Sequence, residues 1–183
     1  KKINYIINIP YLIPDKKFMH TDFTPLMKAC FDRNTQCALL LLSHPKININ
    51  HCSINYKTAF ILCCQMSNPL TAQILLNKPE LILDIKDMEF NSNAAIYAAQ
   101  NKLFSIIELI LVHPNFKPSL FEVTNIFNKN VLYYLVHYSR NRLAKQAYSI
   151  CNNLFHVTFD SSNLIIAAKN YMPQIVDLII NKL

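Results

Sequence analysis

Glycine is missing altogether from these 183 residues, where about 7% would be ordinary. Its absence excludes a glycine-rich phosphate loop, and every turn that needs positive φ must use another residue, with Asn and Asp the least costly. Charge is scarce at 16%, against 52% apolar residues, a globular balance rather than a disordered one. No apolar run reaches the ~18 residues that a membrane span requires. The six cysteines, Cys30, Cys37, Cys52, Cys63, Cys64 and Cys151, form no CxxC pair and no regular framework. They read as reduced thiols in a cytoplasmic, intracellular protein. The N-terminus lacks the charge, apolar core and small-residue site of a signal peptide. The chain opens on Lys1 and stops within an apolar helical pattern at Leu183, as expected of a segment of something longer. No paired carboxylates share a helix or strand in the way acid–base chemistry needs.

What is present is 23 Ile, 21 Asn and a net charge of +7, the first two being a combination that an AT-biased genome produces. The charge favours an acidic protein surface, an anionic lipid headgroup or a nucleic acid. It is uneven along the chain. Glu80, Asp84, Asp87 and Glu89 face only Lys86, whereas Lys129, Arg140, Arg142 and Lys145 lie together without an acid, so one end of the surface is expected to be acidic and the other basic.

A pattern recurs along the sequence. Thr24-Pro25-Leu26-Met27-Lys28-Ala29-Cys30 is followed by a polar break, the apolar run Cys37 to Leu42, and His44-Pro45. It returns from Thr58 with Lys78-Pro79, and again from Asn93 with His113-Pro114. A looser copy starts at Asn130 and a fifth at Ser162. Thr24, Thr58, Asn93, Asn130 and Ser162 each carry a side-chain oxygen that can cap a helix by accepting from its first free N–H groups. Pro25 suits the first turn, where its missing donor costs nothing. Small pairs five residues on (Ala29-Cys30, Cys63-Cys64, Ala98-Ala99, Ala167-Ala168) let neighbouring helices approach closely. Leu135-Val136 replaces them in the fourth copy, which should pack differently. Prolines 45, 79 and 114 stop each second helix.

The string T-P-L-x-x-A, a polar turn, an apolar run and an Asn-containing loop resembles the ankyrin repeat over about residues 20 to 183. Tetratricopeptide repeats share the period but need longer amphipathic helices than these breaks allow. The expected fold is therefore all-α, a solenoid of about five stacked helix–turn–helix repeats joined by extended loops, with repeats near 20–53, 54–88, 89–124, 125–156 and 157–183. Residues 1–19 are expected to be an N-terminal cap or the remnant of a preceding repeat. Irregularity is expected at the insertion 118–124. The family's first-helix glycine is replaced by Arg33, Ser67, Lys102, Ser139 and Tyr171. Each of these costs about 1 kcal/mol if held left-handed, unless the turn is reshaped.

The resemblance implies that a partner is gripped by the concave side, built of loop tips and the exposed ends of the first helices. Phe90, Phe127 and Phe159, three residues before their caps, fall on the tips as candidate aromatic anchors, or as rings tucked against a neighbouring tip. Phe31, Gln65, Gln100, His137 and Lys169, seven residues after the caps, should line the groove, with Lys57 and Lys129 flanking it. Such a mixed surface suits a peptide or folded protein with an acidic edge. It lacks the regular aromatic platform or continuous basic stripe of a nucleic-acid binder. His51-Cys52 is the minimum hint of a nucleophile and base, but adjacent side chains rarely face each other. Cys30, Cys37, Cys63 and Cys64 read as small apolar groups rather than metal ligands, and His44 and His113 as helix-ending residues. No cofactor is implied. The reading is a non-catalytic interaction module or scaffold. The alternatives are a basic module docking on a polyanion (an acidic cytoskeletal polymer surface, nucleic acid or anionic lipid) or the non-catalytic repeat segment of a larger enzyme.

Overall fold

The computed structural model describes residues 22–150 and 158–181. Residues 1–19, His20 and Cys151 lie outside the described residues. The helices come in antiparallel pairs: α1 Pro25–Phe31 with α2 Thr35–Leu42, α3 Ala59–Gln65 with α4 Pro69–Leu76, and α5 Ala94–Gln100 with α6 Phe104–Leu111. After the short α7 Ser119–Glu122 come α8 Val131–His137 with α9 Asn141–Ile150, and α10 Ser161–Lys169 with α11 Pro173–Ile180. Helices α1, α3, α5, α8 and α10 pack in series as an inner layer, and α2, α4 and α6 as an outer one. The array is an all-helical solenoid, with one isolated bridge, Lys86 to Asn93, among the described residues.

Local chemistry sets each helix start. The side-chain oxygens of Thr24, Thr58, Asn93 and Asn130 accept from the amides of Met27, Ile61, Ile96 and Tyr133 at 3.3, 3.2, 2.9 and 3.0 Å, each cap being worth about 1 kcal/mol. The fifth expected cap is displaced. Asp160, not Ser162, caps α10, and its reciprocal bonds with Asn163 form a capping box, so this inner helix starts two residues earlier than the pattern of small residues indicates. Asn34 and Asn68 cap α2 and α4 in the same way. All five residues standing in place of glycine, Arg33, Ser67, Lys102, Ser139 and Tyr171, are left-handed at φ 53° to 60°. The turns are therefore not reshaped; their strain is carried, at about 1 kcal/mol each.

Burial follows the small residues. Every residue of α3 from Ala59 to Cys64 and of α5 from Ala94 to Ala99 is buried, which a single apolar stripe could not require; these helices are covered on both sides by their neighbours. Leu135 and Val136 are fully buried at the position of the small pairs, and α8 still packs on both α5 and α10. The departure shows in the outer layer. A cleft of about 310 Å³ opens between α6 and the start of α9, and one of about 320 Å³ between α9 and α11. An Arg142–Glu108 ion pair bridges the first. The insertion forms α7, which buries Leu120 and Phe121, with Phe121 edge-on to Phe116 at 5.4 Å.

Side chains also tie one pair to the next. Asn101 Nδ2 donates to the carbonyls of Cys64 and Gln65 at the end of α3, at 2.9 and 3.0 Å, satisfying acceptors that a helix end leaves free. His113 Nδ1 accepts from the Asn115 amide, and Nε2 lies 3.2 Å from the Lys78 carbonyl, which fixes the proton on Nε2. His113 is thus both a turn former and a tie between repeats.

Candidate protein-binding face

The loops before α3, α5 and α8 end in narrow tips. Each is closed by a backbone bond, Ser53 N to Lys57 O at 2.9 Å, Asp87 N to Ser92 O at 3.0 Å and Asn125 N to Lys129 O at 3.0 Å. Tyr56, Asn91 and Asn128 take the left-handed position that such a turn requires. The opening side chain adds a further bond: Ser53 Oγ accepts from Lys57 N at 3.1 Å, Asp87 Oδ1 from Phe90 N at 2.7 Å, and Asn125 Oδ1 from Phe127 N and Lys129 N at 3.0 Å. Successive tips are joined by Met88 N to Asn55 O, Ile126 N to Phe90 O and Thr158 N to Asn128 O, at 3.1, 3.0 and 2.9 Å. The tips are therefore pre-organised, which lowers the ordering cost of binding.

Apolar side chains stand out from this anchored row. Phe127 is 59% exposed, and Ile54 and Tyr56 on the first tip, Met88 on the second and Ile126 next to Phe127 are exposed as well. Phe90 is half-buried. Beneath Phe90 and Phe127 lies a cleft of about 250 Å³, lined also by Gln65, Gln100, Ser92, Tyr97, Asn101 and Asn125. Four of the expected residues, Gln65, Phe90, Gln100 and Phe127, thus meet at one place. Tyr97, Asn101, Ser92 and Asn125 escaped the sequence reading, since a buried tyrosine in an apolar helix reads as core.

A second group surrounds Tyr133. Lys129 Nζ lies 4.3 Å from the ring centroid, His137 stacks on it at 5.9 Å, and Phe159 tilts against it at 6.1 Å. The hydroxyl donates to Asp160 Oδ2 at 3.0 Å. The contact with Tyr133 raises the Lys129 pKa above its ordinary value despite burial, with the Asp160 charge adding to it. Burial acts to raise the Asp160 pKa, but hydrogen bonds from Ser162, the Asn163 amide and Tyr133, and the nearby His137, outweigh it and hold the carboxyl below its usual range. Phe159 is half-buried here, next to the cap Asp160.

The remaining expected residues stand apart. Phe31 is exposed at the end of α1, against Phe23 at 6.0 Å and under Lys28. Lys57 is largely covered and pairs with Glu89 at 2.8 Å. Lys169 is exposed at the end of α10. The acidic segment is less polarised than its linear run indicates: Lys117 pairs with Asp84 at 3.1 Å, Lys57 takes Glu89, and Asp87 is buried. Cys52 Sγ donates to the Asn50 carbonyl at 3.7 Å and burial raises its pKa, the opposite of what a thiolate nucleophile needs. Burial likewise raises Cys63 and Cys64. Among the described residues no group of three His, Cys, Asp or Glu could hold a metal ion, and no helix is long and apolar enough to cross a membrane.

Helix pairs joined by projecting tips, with inner helices of small residues, define a repeat protein of the ankyrin class. A family model described as "Ankyrin repeats (3 copies)" matches residues 26–121, and the chain belongs to the ankyrin-repeat family. Ankyrin repeats are in general protein-interaction modules without catalysis. The fold is similar to the crystal structure of the ankyrin repeat domain of Bcl-3, a member of the IkappaB family (TM-score 0.66, 16% identity, covering 94% of this chain and 75% of that one). It is also similar to the ankyrin repeat protein EF0377 (TM-score 0.70, 15% identity, covering 97% and 89%). No curated protein matches the sequence.

Proposed function

We propose that this chain is a non-catalytic scaffold that binds a protein partner on its concave face, across the tips that carry Phe90 and Phe127 and the cleft beneath them. The observation that carries the reading is Phe127, 59% exposed on a tip whose backbone is fixed by Asn125 and joined to its neighbours. A large apolar ring held rigidly in water contributes little to folding and much to an interface when a partner covers it. The net charge of +7 steers the module toward a partner with an acidic surface. The free thiols among the described residues fit a reducing, intracellular setting. Gln65, Gln100, Lys129 and His137 line the face in this reading, and Phe31, Lys57, Phe159 and Lys169 lie at its margins.

The test is a pull-down from cell lysate, read by mass spectrometry, with the wild type and a Phe90→Ala/Phe127→Ala variant of equal helical content. The wild type enriches a partner that the variant loses by tenfold or more, and the enrichment survives moderate salt. Equal recovery by both forms overturns the choice of face. Enrichment that disappears with a modest rise in ionic strength points to polyanion docking instead.

A further inference from the structure

The cleft beneath Phe90 and Phe127 has a floor that two apolar rings do not account for. Two residues that line it bury an oxygen with no hydrogen-bond partner, Gln65 at Oε1 and Tyr97 at its hydroxyl, and a third such atom, Asp87 Oδ2, belongs to a carboxylate that acts on Tyr97. Tyr97 lines the cleft and is only 5% exposed, and Asp87, whose charge acts on the Tyr97 hydroxyl, is 2% exposed. A buried polar group without a partner carries its full desolvation penalty, so this set is unfavourable unless something completes it. Two of the three are obligate acceptors, and the third accepts as readily as it donates. Asp87 has no ion-pair partner among the described residues, whereas its neighbours Asp84 and Glu89 are matched by Lys117 and Lys57.

We propose that the cleft is a receptor for one basic side chain, an arginine, of the partner segment that crosses the tips. This rests on the concave-face reading above and names the chemistry that the face selects. The guanidinium supplies five N–H donors in a plane. Its donors meet Gln65 Oε1 and the Tyr97 hydroxyl, and Asp87 behind Tyr97 supplies the counter-charge. Its flat face and methylene stem lie against Phe90 and Phe127, the arrangement that cation–aromatic attraction favours. Gln65 is half-buried, and a turn of its amide brings the acceptor to the incoming group. Burial is the chief cause raising the Tyr97 pKa, with the Asp87 carboxylate, close to the hydroxyl but beyond ordinary hydrogen-bond distance, and the Glu89 charge adding to it and Ser92 opposing, so the hydroxyl stays protonated beside an acid. The local sign is opposite to the net charge of +7. The segment is therefore one arginine set among acidic or neutral residues, and a uniformly basic peptide is rejected by the rest of the surface.

The experiment is an NMR titration of the whole chain with N-acetyl-arginine-N-methylamide and, in parallel, with the isosteric neutral citrulline derivative. The expected result is saturable shifts of the Gln65 side-chain amide and the Phe90, Tyr97 and Phe127 signals with the arginine probe. The citrulline probe should bind at least tenfold more weakly. Tyr97→Phe and Asp87→Asn each weaken the arginine probe about tenfold; asparagine retains the acceptor for the Phe90 amide, so the tip stays folded. Equal response to both probes, shifts centred elsewhere, or no effect of either substitution overturns the proposal. If the arginine probe fails while Phe90→Ala/Phe127→Ala still abolishes partner capture, the binding face stands and only its selectivity for arginine falls. If capture is unaffected by that variant while the probe binds the cleft, the arginine site stands without the face.

Discussion

The first three helix pairs and the fourth meet the same packing problem with different side chains. In α1, α3 and α5 the residues facing the neighbouring repeat include Ala29-Cys30, Cys63-Cys64 and Ala98-Ala99, all buried, and the outer helices α2, α4 and α6 close up behind them. In α8 the equivalent pair is Leu135-Val136, and the outer helix α9 is flanked by clefts of about 310 and 320 Å³. Bulk placed between inner helices is repaid at the outer layer, because two layers joined by short turns cannot both stay in close register. The proposed binding face sits where the regular part ends, on the tips before α5 and α8, so its rigidity depends on both halves.

Exchanging the small and large residues breaks this comparison with the largest effect. Leu135→Ala removes a fully buried side chain and should cost about 2–5 kcal/mol, whereas Ala98→Leu overpacks the regular half and should cost about 1–3 kcal/mol. Urea unfolding measures both. If Ala98→Leu is neutral, the small pairs are not what closes the first three repeats.

A smaller effect is expected at the left-handed turns. Lys102→Gly and Ser139→Gly, at φ 60° and 55°, should each stabilise by up to about 1 kcal/mol, with the gain in the regular half no smaller than in the open one. Thermal unfolding reads the pair, and a loss of stability at both positions would contradict the strain assigned to these turns.

These turns were legible in the sequence. The spacing of Thr24, Thr58, Asn93 and Asn130 locates four caps, and nine residues on from each stands the residue that replaces glycine. The fifth cap was misplaced because the small pair Ala167-Ala168 sets the register at the C-terminal end of α10, while the helix gains its extra residues at the other end. Asp160 and Asn163, the capping-box pair, stand three apart in the sequence, outside the register that the small pair sets. The tip positions of Phe90 and Phe127 follow from the resemblance to ankyrin repeats together with their place three residues before the caps. Their cleft does not: Tyr97 and Asn101 reach it across repeats, and pairwise convergence of that kind leaves no periodic mark. The open outer layer was equally hidden, since it is the consequence of a volume mismatch rather than of a motif.

The smallest effect concerns pH. Asp160 is held below its ordinary pKa, so its contribution to folding is present above the usual aspartate range and is lost as pH falls through the depressed value. Thermal unfolding followed from about pH 5 to pH 2 should show a decline that Asp160→Asn blunts, and an identical acid profile in the two proteins would show that the last cap is uncoupled from the fold.

The concave tips, not the outer face, are proposed to meet the partner. The direct measurement is photo-crosslinking in cells with p-benzoylphenylalanine placed at Phe127 on a tip or at Val112, 78% exposed at the end of the outer helix α6. Adducts at position 127 and none at 112 are the predicted result. Adducts confined to 112, or equal at both, would contradict the account.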